Sequence, residues 1–379
     1  MNYFKLTRFL QKGDKGLFDV PFLEQKNFLD GLGDARNDFE RSFKQYLCQQ
    51  LFTPAWKRLL MNLISALVFP LAIFYSLSKR VLYKKGAHVE TLMQAKDMDE
   101  VVPPALFSRY DVSTIYWNEG QSLSFCDIPF IFKIIRCSIM HPYFALKASM
   151  NVARYSHMVY RHTPDNIIVF GEYSFSSSIL SAYCNSKGIK HINVMHGEKL
   201  YYIRDSYFRF DECYVWSEHY KNLFVSMMAE PTQFKIHLPP SMQIDCSNYL
   251  NTSVYADYKY YLAVYEEDEI KSIVSSLQFI KSEGKTLKYR IHPRYSNVQL
   301  LLKYVDESEV EYPKDVTIQE SISNLKFAIG SYTTVLTQAY FARKKIILDD
   351  VTFKKQFEKL QSLKYILSSM DSIKLSDCQ

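Results

Sequence analysis

Between residues 258 and 348, short apolar runs alternate with helical stretches at a steady beat. This alternation constrains the fold more than any other feature of the chain. Strands are expected at 258–265, 286–291, 309–312, 327–330 and 345–348, with helices at 267–282, 298–305, 317–324 and 333–343 between them. Strand–helix–strand repetition of this kind builds a parallel sheet covered on both faces. A looser version of the pattern fills the first half, with strands expected at 112–117, 166–170, 190–195, 211–216 and 234–238. The Asn/Ser-rich stretch 241–257 reads as a linker, and residues 1–109 as a helical N-terminal region. The expectation is an α/β protein with two Rossmann-like domains, 110–240 and 258–379, facing across a cleft.

Open parallel sheets bind ligands outside the C-terminal ends of their strands. In the second domain the 286–291 strand runs into His292-Pro293, flanked by Arg290 and Arg294. The 327–330 strand passes through a tight turn at Gly330 into a helix that opens with Ser331, Thr333 and Thr334. A helix N-terminus offers free backbone N–H groups and a positive dipole end, so this set reads as a site for a nucleotide phosphate. The imidazole of His292 would donate to the leaving group as its charge develops. Ordinary N-capping explains the hydroxyls equally well, and the two roles share one geometry. In the first domain, three places set an ionisable group at a strand end: His196-Gly197-Glu198, Glu172, and Glu119 within Asn118-Glu119-Gly120. His196, Glu198, Glu172 and Glu119 are therefore the candidates for a general base.

Composition narrows the class. With 47% hydrophobic and 15% aromatic residues in 379, the chain buries a large core and is not disordered throughout. A net charge of +6 suits an acidic ligand or an anionic membrane face without indicating nucleic acid. Seven scattered cysteines without Cys-x-x-Cys spacing read as free thiols in a reducing compartment. Asp349-Asp350 reads as a strand end and turn cap. With no Asp-x-Asp and no His/Cys cluster, neither a catalytic metal nor a cofactor beyond the donor substrate is expected. The first residues show no apolar signal region.

Residues 59–78 are apolar, with Pro70 in the middle and a length close to the ~20 residues a spanning helix needs. Lys57 and Arg58 precede the segment, and Lys79, Arg80, Lys84 and Lys85 follow it. Positive charge on both flanks gives no inside–outside bias, so an in-plane or re-entrant segment on anionic lipid fits better than a span. A buried core helix is the plain alternative.

The order of elements resembles the GT-B glycosyltransferases, and more narrowly the bacterial sialyltransferase and polysialyltransferase group. His292-Pro293 matches that group's His-Pro motif, and Ser331, Thr333 and Thr334 match its Ser/Thr motif. Asn118-Glu119-Gly120 has the place of its short acidic motif but lacks the first acid. His196-Gly197 is similar to the His-Gly motif of capsule Kdo transferases and teichoic-acid glycerophosphotransferases. The resemblance implies an inverting transferase at the cytoplasmic face of a bacterial inner membrane, peripheral or monotopic. It would take a CMP-sugar donor, CMP-sialic acid first, and a glycan or lipid-linked glycan acceptor in capsule or lipopolysaccharide biosynthesis. CMP-Kdo, a UDP-sugar or CDP-glycerol are the alternative donors. A non-catalytic scaffold of a polysaccharide assembly complex is the rival of another class.

Overall fold

The computed structural model describes residues 14–93, 100–114, 120–263, 265–294, 296–369 and 372–379. The chain divides into two units. One comprises residues up to His196 together with Tyr201–His237; the other comprises Gly197–Leu200 and Leu238–Gln379.

The first unit is built on a six-stranded, all-parallel sheet of β1 (Thr91–Met93), β2 (Val112–Thr114), β3 (Asn166–Val169), β4 (Lys190–Val194), β5 (Glu212–Val215) and β6 (Phe234–Ile236), in the order β2-β1-β3-β4-β5-β6. The sheet starts earlier than the sequence implied. At three residues β1 is too short for period-two alternation to show, yet it pairs on both sides, Met93 opposite Thr114 and Ile168. The strand expected at 112–117 is seen over Val112–Thr114, and residues 115–119 lie outside the described part. β3 is buried at all four positions, as befits a strand covered on both faces.

Helices α1 (Phe22–Leu32), α2 (Asp38–Gln50) and α3 (Ala55–Arg80) precede the sheet and belong to the same unit. The N-terminal region is therefore part of the first α/β unit and not an appendage. Asn37 caps α2 by accepting from Phe39 N and Glu40 N, with Asp38 and Glu40 in the first turn favoured by the helix dipole. The buried side of α2 then packs Tyr46 against Phe144 and Phe175. α4 (Ile128–Cys137) and α5 (Pro142–His162) follow, each starting with proline in its first turn, where the missing N–H costs nothing. α5 buries 14 of its 21 residues, which makes it the central helix of the unit.

The second unit has its own six-stranded parallel sheet: β7 (Ala256–Tyr261), β8 (Leu287–Arg290), β9 (Val310–Glu311), β10 (Leu325–Gly330), β11 (Lys345–Leu348) and β12 (Ile373–Lys374), in the order β12-β11-β10-β7-β8-β9. Its core gathers Tyr260, Ile273, Leu277, Tyr289, Ile329 and Ile347. The alternation of the sequence is realised strand for strand, with β12 added at the edge. The stretch expected as a linker is tied to this unit: Asn251 N donates to Asn324 Oδ1 and Asn251 Nδ2 to Glu320.

In each sheet the strand order reverses once, between β1 and β3 in the first and between β7 and β10 in the second. Such reversals open a crevice at the C-terminal strand ends.

Candidate functional site

In the second unit, the residues expected to bind phosphate lie at the ends of β8 and β10. His292 follows β8. Its Nδ1 accepts from the backbone N–H of Arg294 at 3.1 Å, and its own N–H donates to Ser296 Oγ at 2.8 Å. Ser296 Oγ donates in turn to the Ala263 carbonyl beyond β7, which pins the β8 end to the β7 end. An Nδ1 that accepts leaves the proton of a neutral imidazole on Nε2. Burial, reinforced by the nearby Arg294 charge, lowers the pKa of His292 below the usual histidine value, so the neutral ring is favoured. Pro293 and Arg294 sit in an exposed turn.

Beyond β10, Ser331 is buried and its hydroxyl lies 3.2 Å from Tyr265 Oη, joining the β10 and β7 ends. Thr333 is the N-cap of α6 (Thr334–Phe341), accepting from Val335 N, and Thr334 is exposed in the first turn. Gly330 does not form the expected tight turn but closes the strand. A Cβ there would meet the Tyr261 carbonyl and Leu336 at 3.4 Å, the near edge of ordinary contact. Asp349 accepts from Val351 N, Thr352 N and Tyr260 Oη, and Asp350 from Ser376, so both acids hold turns.

Arg290 departs from its expected role. Its guanidinium is buried, 2.6 Å from Glu311 Oε1 and bonded to the Val316 carbonyl, while Lys259 takes the other oxygen of Glu311. A side chain that alternates along β8 points into the sheet face here, and the buried acid on β9 claims it. The cationic donors at this strand end are therefore fewer than the sequence suggested.

In the first unit, two candidates named separately turn out to be one arrangement. Glu172 follows β3, His196 follows β4, and these strands are neighbours. The Glu172 carboxylate is fully buried, with Oε1 3.7 Å from His196 Nδ1, while the His196 ring is 37% exposed. Asn193 holds the acid: its Nδ2 donates to Glu172 Oε2 at 3.2 Å and its Oδ1 accepts from Gly171 N at 2.7 Å. Gln45 of α2 supports the same loop by donating to the carbonyls of Glu172 and Arg204. The rings of Phe170 and Tyr173 meet His196 edge-on and limit its tilt.

Glu198 belongs elsewhere than expected. The tetrapeptide Gly197–Leu200 counts with the second unit, and Glu198 Oε1 accepts from Thr337 Oγ1 of α6 at 3.2 Å. Glu119 lies outside the described residues.

No family model matches the chain, and no curated protein is found similar to it in sequence. Among solved structures it is similar to the lipopolysaccharide outer core galactosyltransferase WaaB in its apo form, at 12% identity over 69% of this chain and 80% of that one, with a TM-score of 0.41. It is also similar to an H444N variant of the wall teichoic acid polymerase TagF, at 11% identity over 82% and 83%, TM-score 0.39. A putative UDP-N-acetylglucosamine 2-epimerase from Listeria monocytogenes matches at 9% over 73% and 82%, TM-score 0.43. Likeness at this level assigns no activity, and the function rests on the residues.

Three contributors were missed in the sequence. Asn193 is the fourth of five residues in β4, and a polar residue set between Ile192 and Val194 at a strand end was its signal. Ser296 and Tyr265, which tie the strand ends of the second unit, carried no signal beyond being near His292 and β7.

Proposed function

We propose that this protein is an inverting glycosyltransferase that moves a sugar, sialic acid first, from a CMP-activated donor to a glycan acceptor of a bacterial surface polysaccharide. The observation that carries the reading is the state of His292. A neutral imidazole whose Nδ1 is occupied by the Arg294 N–H presents Nε2–H as a hydrogen-bond donor. It follows β8, which neighbours β7 in a parallel sheet whose β10, across the reversal, leads into the N-terminus of α6. That is the equipment for a leaving nucleotide phosphate: an aimed donor, a helix dipole and backbone N–H groups.

In this reading the first unit supplies the base. His196 Nε2 takes the acceptor hydroxyl proton, and Glu172 behind Nδ1 orients the ring and stabilises the imidazolium that forms. The acceptor oxygen bonds to the anomeric carbon as the bond from that carbon to the phosphate oxygen breaks, and the released CMP takes up the negative charge. Inversion follows from one displacement. The acceptor would be lipid-linked and met at the cytoplasmic face of the inner membrane.

A nucleotide screen by thermal shift tests the reading. CMP or CDP should stabilise the protein, by about 2.7 kcal/mol at a hundredfold excess over Kd. Stabilisation by UDP without any by CMP would reassign the donor to a UDP-sugar. Stabilisation by no nucleotide would remove the transferase reading.

A further inference from the structure

The surface of the first unit carries a feature that the transfer chemistry does not use. α3 is 26 residues long, about 39 Å at 1.5 Å per residue, and runs unbroken through Pro70. It is docked along α5 in parallel for most of its length. Asn62 Oδ1 accepts from Tyr143 N at the start of α5, Ser76 O accepts from Leu123 N, and Arg80 donates to Ser156 O and lies 3.7 Å over the Tyr160 ring near the end of α5. The side facing the protein buries Met61, Ser65 and Ser76.

The outward side is apolar. Leu59, Leu63, Leu67, Leu71 and Phe74 recur at helical spacing and are each between 58% and 78% exposed. Apolar groups adjoin both ends of this stripe. Phe125, two residues past the Leu123–Ser76 bond, is 81% exposed; Ile139 and Met140, just before the start of α5, are 71% and 83% exposed. A continuous apolar surface of this kind marks an interaction site.

Charge selects the occupant. Residues 54–89 and 128–164, which form α3, α4 and α5, contain eleven Lys and Arg and no Asp or Glu. The rest of the chain is net acidic, with 35 basic against 40 acidic residues, so the whole positive excess lies in these two stretches. Arg58, Lys84, Lys85, Lys133 and Arg136 are exposed. An apolar stripe with cations and no acids fits an anionic lipid surface, where apolar side chains enter the acyl boundary and lysines and arginines meet the headgroups.

We infer that α3, bordered by Phe125 and by Ile139 and Met140, is an in-plane docking face for an anionic membrane. The helix does not cross the bilayer. Crossing would require it to leave α5, stripping a partner from Asn62 and Arg80 and opening the central helix of the unit to solvent. This sharpens the membrane part of the function proposed above and is independent of the donor chemistry.

The test uses full-length protein and flotation with vesicles of phosphatidylcholine, with and without phosphatidylglycerol. Binding should require phosphatidylglycerol and weaken with salt. The L67Q/L71Q/F74Q variant should partition on the order of 100-fold less, since three side chains lose their apolar burial. Its melting temperature and response to nucleotide should match wild type, because the three positions are exposed and lie outside the phosphate set. Wild-type binding to the variant's level, binding indifferent to phosphatidylglycerol, or retention on vesicles through alkaline carbonate with protease cleavage on the far side would each overturn the inference. So would a wild-type dimer that the variant dissolves while vesicle binding stays unchanged, since the face would then belong to a second copy.

Discussion

The carboxylate of Glu172 lies 3.7 Å behind Nδ1 of His196, fully buried, while the ring it faces is partly open to solvent. A buried acid behind an exposed imidazole is an arrangement that orients a base and steadies the charge it gains. Neither residue would manage this alone. Asn193 fixes the acid, and Gln45, from a helix far away in sequence, fixes the loop that carries it.

This pairing predicts a graded loss. His196→Ala should lower transfer by about 10²–10⁴-fold, the usual contribution of a general base. Glu172→Gln should lose less and should move the pH–rate profile, because the orienting charge is gone while the ring remains. Thermal stabilisation by CMP should persist in both. A Glu172→Gln enzyme with an unchanged pH profile and rate would show that the acid serves packing alone.

His292→Ala should impair donor use by on the order of 10²-fold, comparable to losing one oxyanion-type contact. Thr333→Val should weaken the helix cap by about 1 kcal/mol and reduce CMP stabilisation with it. Calorimetry with CMP, beside thermal melts without ligand, separates the two effects.

Arg290 gives the opposite expectation. Removing Arg290 from its buried pair with Glu311 should cost about 3 kcal/mol of stability, the low end for breaking a buried pair, because Lys259 at 2.5 Å still compensates the Glu311 charge. Urea melts should reveal this loss in Arg290→Met. A variant of normal stability with abolished CMP binding would restore Arg290 to the phosphate site.

Acid should unfold the first unit through His191. Its ring is enclosed, with Nε2 at Tyr155 Oη and Nδ1 at Ser181 Oγ, and burial lowers its pKa to about 3. The unfolded chain binds this proton near pH 6.5 and the folded chain does not, so stability rises with pH across that window. The contribution is complete above pH 6.5 and is lost as pH falls toward 3, with a slope near 1.36 kcal/mol per pH unit for this one group. Replacing His191 with Gln should flatten the pH dependence of the melting temperature between pH 6 and about 4.

The second unit was legible in the sequence because strands and helices alternate through 258–348, so that even the two-residue β9 is marked by its place between two helices. Lys345–Leu348 appears at the expected bounds. β1 and β12, three and two residues long, carry no period and lie outside the strand–helix alternation that marked the other short strands, so only pairing partners distant in sequence make them strands. What was legible of the candidate site was residue types at strand ends: His292 follows β8, and Ser331 and Thr333 follow β10. Side-chain direction was not legible. Arg290 and His292 stand two residues apart on one strand and its end, yet one is claimed by a buried acid on β9 and the other by a turn amide. No local pattern encodes the partner across the sheet. For the same reason the sequence named Glu172 and His196 but gave no sign that they face each other.

The four residues Gly197–Leu200 have a practical consequence for anyone who would recombine this protein. The chain passes between its two units three times, so a cut at residue 237 does not yield two self-sufficient halves. A fragment beginning at Leu238 would lack the carboxylate that Thr337 binds. A chimera joined there would pair each second unit with a tetrapeptide selected against another α6. Exchange of the first unit between related chains would have to leave this short insert with the second unit, as two grafts and not one.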